Sequence, residues 1–463
     1  MKKKYKVYRF ILYLILIMFL LINISYLLNQ KGIVWDSAVY VGMSKYIFSS
    51  GKIGLWEPAR PILLPILIGL FWKMGLDPII SASLVGIVFS SGCVWITYVI
   101  GKRVFNKNVA LIAAFFLAFS PTFLFYSSAP LTGIISTFFV LLGIYFLLDS
   151  RYLLSGLFFG LGFVTRFLQL FALVAIIIVL LAYKKNGLKK IISLGSGFSI
   201  IVAPYLILNT IIYNNPIYPF LFQVFMSKNS GWIFNESVTF YLISLVNENF
   251  LIFFVLIGIA AVLMKKEFKG VAILTVLLFF LVFFNSIAHK ETRFFLVFLP
   301  YLYLLTSYGA FVSLKFLKKK GVMFYLVIFV LALIWANQEI KGVKAPLPDG
   351  YGEFTEYLSG EDIGEGIWIS NPSFILRSDK KADELIYYPI YNSKKIDELK
   401  KKLPMAKHIL IDTCDILPCH PEDKLCEDKT DEFLDCIKND FEVFLYKKEG
   451  ICEQFIFRTT SLP

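Results

Sequence analysis

Trp35-Asp36-Ser37-Ala38-Val39-Tyr40 leads through Lys45-Tyr46 to Trp56-Glu57-Pro58-Ala59-Arg60-Pro61. It is the first polar stretch behind the apolar run that follows Lys2-Lys3-Lys4. A basic start, a long apolar run and no small-residue cleavage site predict a first membrane span with its N-terminus inside. Asp36 then emerges outside. The pattern predicts a helix over 37–49, capped by Asp36 and ended by Gly51. Val39, Met43, Tyr46 and Ile47 share one face of it, a stripe suited to lying on the membrane surface. Glu57 and Arg60 stand just before Pro61–Met74, which is apolar but short for a span and is expected as a second surface or partly inserted helix.

Working outward, the chain is 57% hydrophobic and only 17% charged, which excludes an ordinary soluble domain. Residues 1–344 carry nine acids and 31 bases, whereas residues 345–463 carry 24 acids and 15 bases. The excess base lies in short clusters between apolar runs, such as Lys102-Arg103, Lys189-Lys190, Lys265-Lys266 and Lys318-Lys319-Lys320. Such clusters set orientation in a membrane and are not a nucleic-acid footprint. Apolar runs at 80–100, 109–127, 131–149, 191–212, 250–264, 271–288, 294–313 and 322–338 are expected to cross. The run 153–183 is expected to be a pair of shortened helices with Thr165-Arg166 near the tip. The fold class is therefore a multi-pass α-helical membrane protein of about 10–11 membrane helices, with juxtamembrane surface helices. A transmembrane domain, 1–340, would hold its first external loop at 29–79.

Residues 341–463 are expected outside, as a small acidic α/β domain with β-like runs at 366–369, 408–411 and 441–446. Five of the six cysteines fall there, so up to two disulfides are expected, with no readable connectivity. A metal site or reduced thiols is the alternative, disfavoured by a single nearby histidine, His420, and no CxxC.

In the membrane half, Asp77 before Pro78 suits a turn, and Glu236, Glu248 and Glu339 suit solvated loops. The segment 213–249 is expected as an aromatic external loop. His289-Lys290-Glu291-Thr292-Arg293 is denser than a plain loop needs. A lone Arg166 at depth in an apolar run is a functional candidate. There is no phosphate-cradling glycine motif and no His-x-x-x-His or carboxylate cage, so neither nucleotide cofactor nor metal is expected. An activated donor must then arrive through the membrane.

These residues resemble the integral-membrane, C-type glycosyltransferases that take a sugar from a polyprenyl-phosphate carrier, including protein O-mannosyltransferases, lipid A aminoarabinose transferases and dolichol-dependent mannosyltransferases. Trp35–Tyr40 with Gly42 and Gly51 is similar to the family's first-loop acidic motif, and Arg60-Pro61-Ile62-Leu63-Leu64-Pro65 to the basic segment after it. His289–Phe294 is similar to a His-Lys-Glu-x-Arg-Phe motif, and Asn215–Pro219 also recurs in such proteins. Two departures stand out. Ser37 replaces a second acid, and Gly133 follows Leu131-Thr132 where an acid is common, so a bridging metal is not expected. The resemblance implies an inverting transfer with Asp36 as general base. A carboxylate beside a low-dielectric membrane has reason for a raised pKa, which suits that role. Arg60, Lys290, Arg293 or Arg166 would stabilise the leaving phosphate. His289 would orient the donor or acceptor, Glu57 and Glu291 would line the substrate site, and Tyr40, Trp56 and Tyr218 would stack on a sugar. The implied partners are a polyprenyl-phosphate-linked sugar, a protein, glycan or lipid acceptor, and membrane lipids; one copy of the chain suffices. The rival classes are a transporter or flippase of anionic lipid-linked sugars and a non-catalytic scaffold.

Overall fold

The apolar runs fold as helices, and several of their breaks fall where the sequence removes a backbone donor or admits a left-handed residue. The computed structural model describes residues 2–29, 33–183, 186–316, 352–360, 363–386, 392–416 and 419–459. The expected span 322–338, with Glu339, lies outside them. In chain order the helices of the membrane half are α1 (Lys2–Asn29), α2 (Trp35–Phe48), α3 (Leu63–Lys73), α4 (Pro78–Val104), α5 (Lys107–Ala118), α6 (Pro121–Ser127), α7 (Thr132–Leu148), α8 (Tyr152–Thr165), α9 (Leu170–Tyr183), α10 (Gly187–Tyr213), α11 (Tyr218–Ser230), α12 (Phe240–Glu248), α13 (Phe254–Lys265), α14 (Phe268–Ser286) and α15 (Leu299–Phe316). Among the described residues, four helices are long and apolar enough to cross a membrane: α1 over Lys6–Asn29, α4, α10 and α14.

Two further candidates are bent pairs. The run expected to cross straight over 109–127 breaks by 62° between α5 and α6. Pro121 has no N–H to continue the ladder and forces Ser120 out of helical geometry, so Ser120 caps α6 through Phe123 N–H instead. The other break, 119°, lies at Asn249. The segment 213–249 is also more regular than an aromatic loop. Asn214 adopts a left-handed conformation and ends α10, and Pro219 in the first turn starts α11. Asp77, expected in a turn, is instead the N-cap of α4 and accepts from Ile79 and Ile80 N–H. Where α13 and α15 cross, Gly258 and Gly309 each face the other helix's backbone, and a Cβ on either would overlap a carbonyl.

The tail builds a five-stranded sheet from β1 (Ile367–Ile369), β2 (Ala382–Leu385), β3 (His408–Asp412), β4 (Phe441–Glu449) and β5 (Cys452–Thr459), in the order β2-β1-β3-β5-β4. β1 pairs parallel with β2 and β3, and β5 antiparallel with β3 and β4. The expected runs at 366–369, 408–411 and 441–446 are β1, β3 and β4. Helices α16 (Gly352–Leu358), α17 (Ser393–Lys402) and α18 (Lys424–Asp440) complete the tail. Cys414–Cys452 and Cys419–Cys426 are disulfides and Cys436 is free. The trio Asp412, Cys414 and Cys452 meets metal-like distances, but both sulfurs are already bonded to each other.

The sheet is buried on both faces, and alternation decides what each face meets. Trp368, Ile409, Ile411 and Phe457 pack on Ile396 and Leu399 of α17 and Phe433 and Ile437 of α18. Ile367, Ile369, Leu410 and Ile456 pack on Val39 and Met43 of α2 and on Leu55. The stripe expected to lie on the membrane therefore faces the tail sheet instead. The other side of α2, Ala38, Tyr40 and Val41, packs on Leu64 and Ile68 of α3, Ala82 and Val85 of α4, and Ile135 and Phe139 of α7. Residues 37–45 are buried without interruption. Lys45 lies within this layer, its ammonium donating to the Leu376 carbonyl at 3.0 Å and the Ser378 carbonyl at 2.6 Å.

The loop after α2 joins the tail through its backbone. Gly54 N–H donates to the Lys380 carbonyl at 2.9 Å, and Ala382 N–H to the Gly54 carbonyl at 2.8 Å. Gly54 has φ +91°, and a Cβ there would overlap the Gly42 carbonyl. Gly54→Ala should therefore combine backbone strain of about 1–3 kcal/mol with a clash. Gly75, at φ +92° with nothing near its Cβ position, isolates the strain alone. The expected outcome is a larger fall in the thermal unfolding midpoint in detergent for Gly54→Ala than for Gly75→Ala. Equal falls would mean that the docking of this loop does not depend on Gly54.

Candidate functional site

Asp36 is the second residue of α2, and the N-cap is Val34, so the carboxylate does not cap the helix as its position in sequence suggested. Its oxygens are drawn away by two guanidinium groups. Arg60 Nη2 donates to Asp36 Oδ1 at 2.7 Å, and Arg293 Nη1 donates to Asp36 Oδ2. The partners are 24 and 257 residues away in sequence. The side chains of Asp36, Arg60 and Arg293 are 16%, 20% and 22% exposed, so the trio is largely shielded yet open on one side.

Each arginine is held by a second acid. Arg60 Nε donates to Glu57 Oε1 at 3.0 Å, and Glu57 is buried. The short turn Glu57-Pro58-Ala59-Arg60, closed by Arg60 N–H to the Glu57 carbonyl, puts the two side chains together. The Arg60 guanidinium lies 5.6 Å from the centre of the Tyr40 ring, one helical turn beyond Asp36. Arg293 lies in the 3-10 helix Thr292–Val297, whose N-cap is Glu291. Its Nη2 donates to Glu291 Oε1, which also bonds His289 Nε2. The ring of Phe234 stacks on His289 with centres 4.5 Å apart. Arg60, Arg293, Glu57, Glu291, His289 and Tyr40 thus gather around Asp36, from opposite ends of the membrane half.

Burial alone would raise the Asp36 carboxyl, the direction expected from its place beside the membrane. The charges of Arg293 and Arg60 and the Arg60 hydrogen bond outweigh burial and hold it well below the usual carboxylate range. In Glu291 too, burial pushes upward and is outweighed, here by the His289 hydrogen bond and the Arg293 charge.

Arg166 approaches the cluster from the junction of α8 with the 3-10 turn Phe167–Gln169, where it adopts extended geometry. Its Nη1 donates to Thr132 Oγ1 at 3.2 Å, and its guanidinium sits 5.5 Å from the centre of the Phe294 ring. Lys290 and Tyr218 do not bond Asp36. The buried Lys290 ammonium donates to the Ile287 carbonyl at 2.8 Å and the Glu236 carbonyl at 3.0 Å, tying two segments of the membrane half together. Tyr218 stacks on Tyr213 with centres 4.8 Å apart, and Tyr213 Oη accepts from Trp56 Nε1 at 2.9 Å. Trp56, next to Glu57, therefore links that aromatic group to the first loop.

Glu248 is a correction. It is buried, not solvated, and accepts from Ser120 Oγ, from Thr122 Oγ1 at 2.6 Å and from Tyr303 Oη at 3.1 Å. It joins the two broken helix pairs, and a glutamate in a polar-looking segment gives no sequence signal of that. Lys45 and Thr132 escape sequence reasoning for the same reason: their partners are set by packing alone.

Residues 59–208 match the family described as dolichyl-phosphate-mannose-protein mannosyltransferase. No curated protein matches the chain in sequence. Among solved structures, the chain is similar to ArnT from Cupriavidus metallidurans bound to undecaprenyl phosphate, with TM-score 0.65 and 13% identity over 96% of this chain and 97% of that one. It is similar also to the oligosaccharyltransferase AglB from Archaeoglobus fulgidus in complex with an inhibitory peptide and a dolichol-phosphate, with TM-score 0.64 and 12% identity over 98% and 75%. The arabinofuranosyltransferase AftD from Mycobacteria gives TM-score 0.59 and 12% identity over 97% and 40%. At these identities the likeness is one of fold, and it extends through the tail.

A depressed carboxyl has a definite pH signature. Its ion pairs stabilise the fold fully above the unfolded-state pKa and fade only as pH falls through the lower, folded-state value. The difference in unfolding midpoint between wild type and Asp36→Asn should stay constant from pH 8 to 5 and shrink only below about pH 4. A difference that collapses near pH 6 would contradict this assignment.

Proposed function

We propose that this chain, which has the fold of the integral-membrane, C-type polyprenyl-phosphate-dependent glycosyltransferases, moves a sugar from a polyprenyl-phosphate carrier to an acceptor hydroxyl on the extracytoplasmic face. The observation that carries the reading is the Asp36 carboxylate held between Arg60 and Arg293 at the start of α2. It places a proton acceptor and phosphate-seeking cations within one hydrogen bond of each other. The sugar is mannose-like or another hexose or pentose, and the acceptor a protein, a glycan or a lipid.

The chemistry is a single displacement. The acceptor oxygen attacks the anomeric carbon, the bond from that carbon to the phosphate oxygen breaks, and the configuration inverts. The acceptor proton passes to Asp36, and the carrier leaves as a lipid phosphate with one more negative charge. An Asp36 that two guanidiniums hold ionised is always ready to accept a proton but is a weak base. A bound phosphate competes for the same guanidiniums, and each one it draws off makes Asp36 more basic. Substrate arrival thus tunes the base in the direction the reaction needs. Glu57 and Glu291 keep Arg60 and Arg293 in place, His289 orients Glu291, and Trp56 offers a flat face to a sugar ring; Tyr40, expected in that role too, is buried and packs against the Arg60 guanidinium.

The topology that goes with this reading has the N-terminus in the cytoplasm and the tail outside, in keeping with the two tail disulfides. After mild reduction of intact cells, a membrane-impermeant thiol reagent should label the tail cysteines. Labelling only after the membrane is opened would reverse the topology.

Asp36→Asn tests the chemistry. The amide keeps the size of the side chain but cannot take the proton. Transfer from a lipid-phosphate sugar by the purified protein should fall by about 10²–10⁴, the share that a positioned general base supplies, while donor binding persists. Turnover within a few-fold of wild type would remove Asp36 from the role of base.

A further inference from the structure

The tail gathers oxygen acceptors at one end of its sheet, beyond the carboxyl ends of the parallel strands β1 and β3. Asp412 ends β3 and caps the 3-10 turn Thr413–Asp415. Asp415 follows it by three residues, the spacing at which side chains of such a turn eclipse. Gln454 of β5 pairs with Asp412 across the ladder, and its Nε2 donates to Asp412 Oδ2 at 3.0 Å. Asn371, two residues past the end of β1, hydrogen-bonds Asp415 through its side chain. Asp412, Gln454 and Asn371 are each more than nine-tenths buried. The Cys414–Cys452 disulfide fastens the turn to the start of β5. No cation acts on Asp415 among the described residues. Burial pushes its carboxyl up to about 7, and the Asp412 charge adds to the rise against the Asn371 hydrogen bond. Asp415 Oδ2 and Gln454 Oε1 are both buried without a donor. Turning the Gln454 amide over would set Oε1 against the Asp412 carboxylate, so acceptors stay in excess in either orientation. A proton shared by the two aspartates would match their charge but would leave Gln454 Oε1 unmet. A hard cation answers both needs, because it takes carboxylate and amide oxygens together.

We propose that Asp412, Asp415 and Gln454 form a calcium site in the tail. Two carboxylates and a neutral amide, held by a strand end, a turn and a neighbouring strand, suit calcium, which accepts irregular sets of oxygens. Magnesium demands a near-octahedral set at shorter distances and keeps its waters, so it fits less well. The ion would offset the repulsion between the two aspartates and supply the positive charge that the acceptors lack. Its effect extends toward α2. Asn371 leads into the turn Pro372–Ile375, and Phe374 and Ile375 of that turn pack with Val39 and Met43. Calcium would therefore brace the part of the tail that docks on the helix carrying Asp36. The proposal does not depend on sugar transfer, and its test does not measure transfer.

The test is the thermal unfolding midpoint of the full-length protein in detergent, first stripped with a chelator and then titrated with calcium or magnesium chloride. Calcium should raise the wild-type midpoint with half-saturation at about 10⁻⁴–10⁻³ M, the range of extracellular calcium modules. Magnesium should raise it less. Asp415→Asn should unfold no earlier than wild type in chelator, because it relieves the repulsion, and should weaken the calcium response by about tenfold or more in concentration. Gln454→Glu, which adds a third carboxylate, should unfold earlier in chelator and respond to calcium more strongly. An unchanged wild-type midpoint in calcium would overturn the site. An equal response in wild type and Asp415→Asn would place the ion elsewhere and overturn it too. Equal responses to magnesium and calcium would overturn the assignment to calcium. A folded Asp415→Asn that unfolds earlier than wild type in chelator, with no calcium effect in either protein, would make Asp415 a structural acceptor only.

Discussion

One carboxylate between two guanidiniums organises this molecule. Asp36 binds Arg60 from its own loop and Arg293 from a 3-10 helix far along the chain. Bringing three charges into a largely shielded place is unfavourable unless each is matched, and here each arginine has a further acid, Glu57 or Glu291. Removing any member leaves an unmatched charge. The geometry of the site is therefore fixed by charge matching as much as by packing, and an incoming phosphate is a direct competitor for the same bonds.

The helix that carries Asp36, α2, is packed on both sides. One side of α2 packs on α3, α4 and α7 of the membrane half, and the other closes the open face of the tail sheet. Gly54 adds a backbone pairing beside β2, and Lys45 ties α2 to the Leu376 and Ser378 carbonyls. The tail is thus part of the framework of the site. It is the second wall against which the helix carrying Asp36 is positioned, so a change in the sheet's inner face reaches the carboxylate through one rigid helix.

Much of this was legible in the sequence, for physical reasons. Helix positions followed from long apolar runs and basic flanks, and the end of α2 from Gly51. Asp36, Arg60, Glu291 and Arg293 stood out because charge is scarce in the membrane half. What failed needed the third dimension. The stripe Val39–Met43 looks the same whether it meets lipid or a sheet, so its burial against the tail could not be read. The pKa of Asp36 was expected to rise because burial is visible in an apolar context, while the two arginines that reverse the sign come from distant positions. Glu248 looked solvated because its hydroxyl partners Ser120, Thr122 and Tyr303 are brought together only by the helix breaks. Lys290 looked like a phosphate ligand by its neighbours, yet backbone carbonyls hold its ammonium.

The most direct test of the central claim is an experimental structure of the protein with undecaprenyl phosphate bound. The account predicts phosphate density within hydrogen-bonding distance of Arg60 or Arg293, with that arginine's bond to Asp36 lengthened or broken. Phosphate bound elsewhere, with the bonds from Arg60 and Arg293 to Asp36 unchanged, would contradict it.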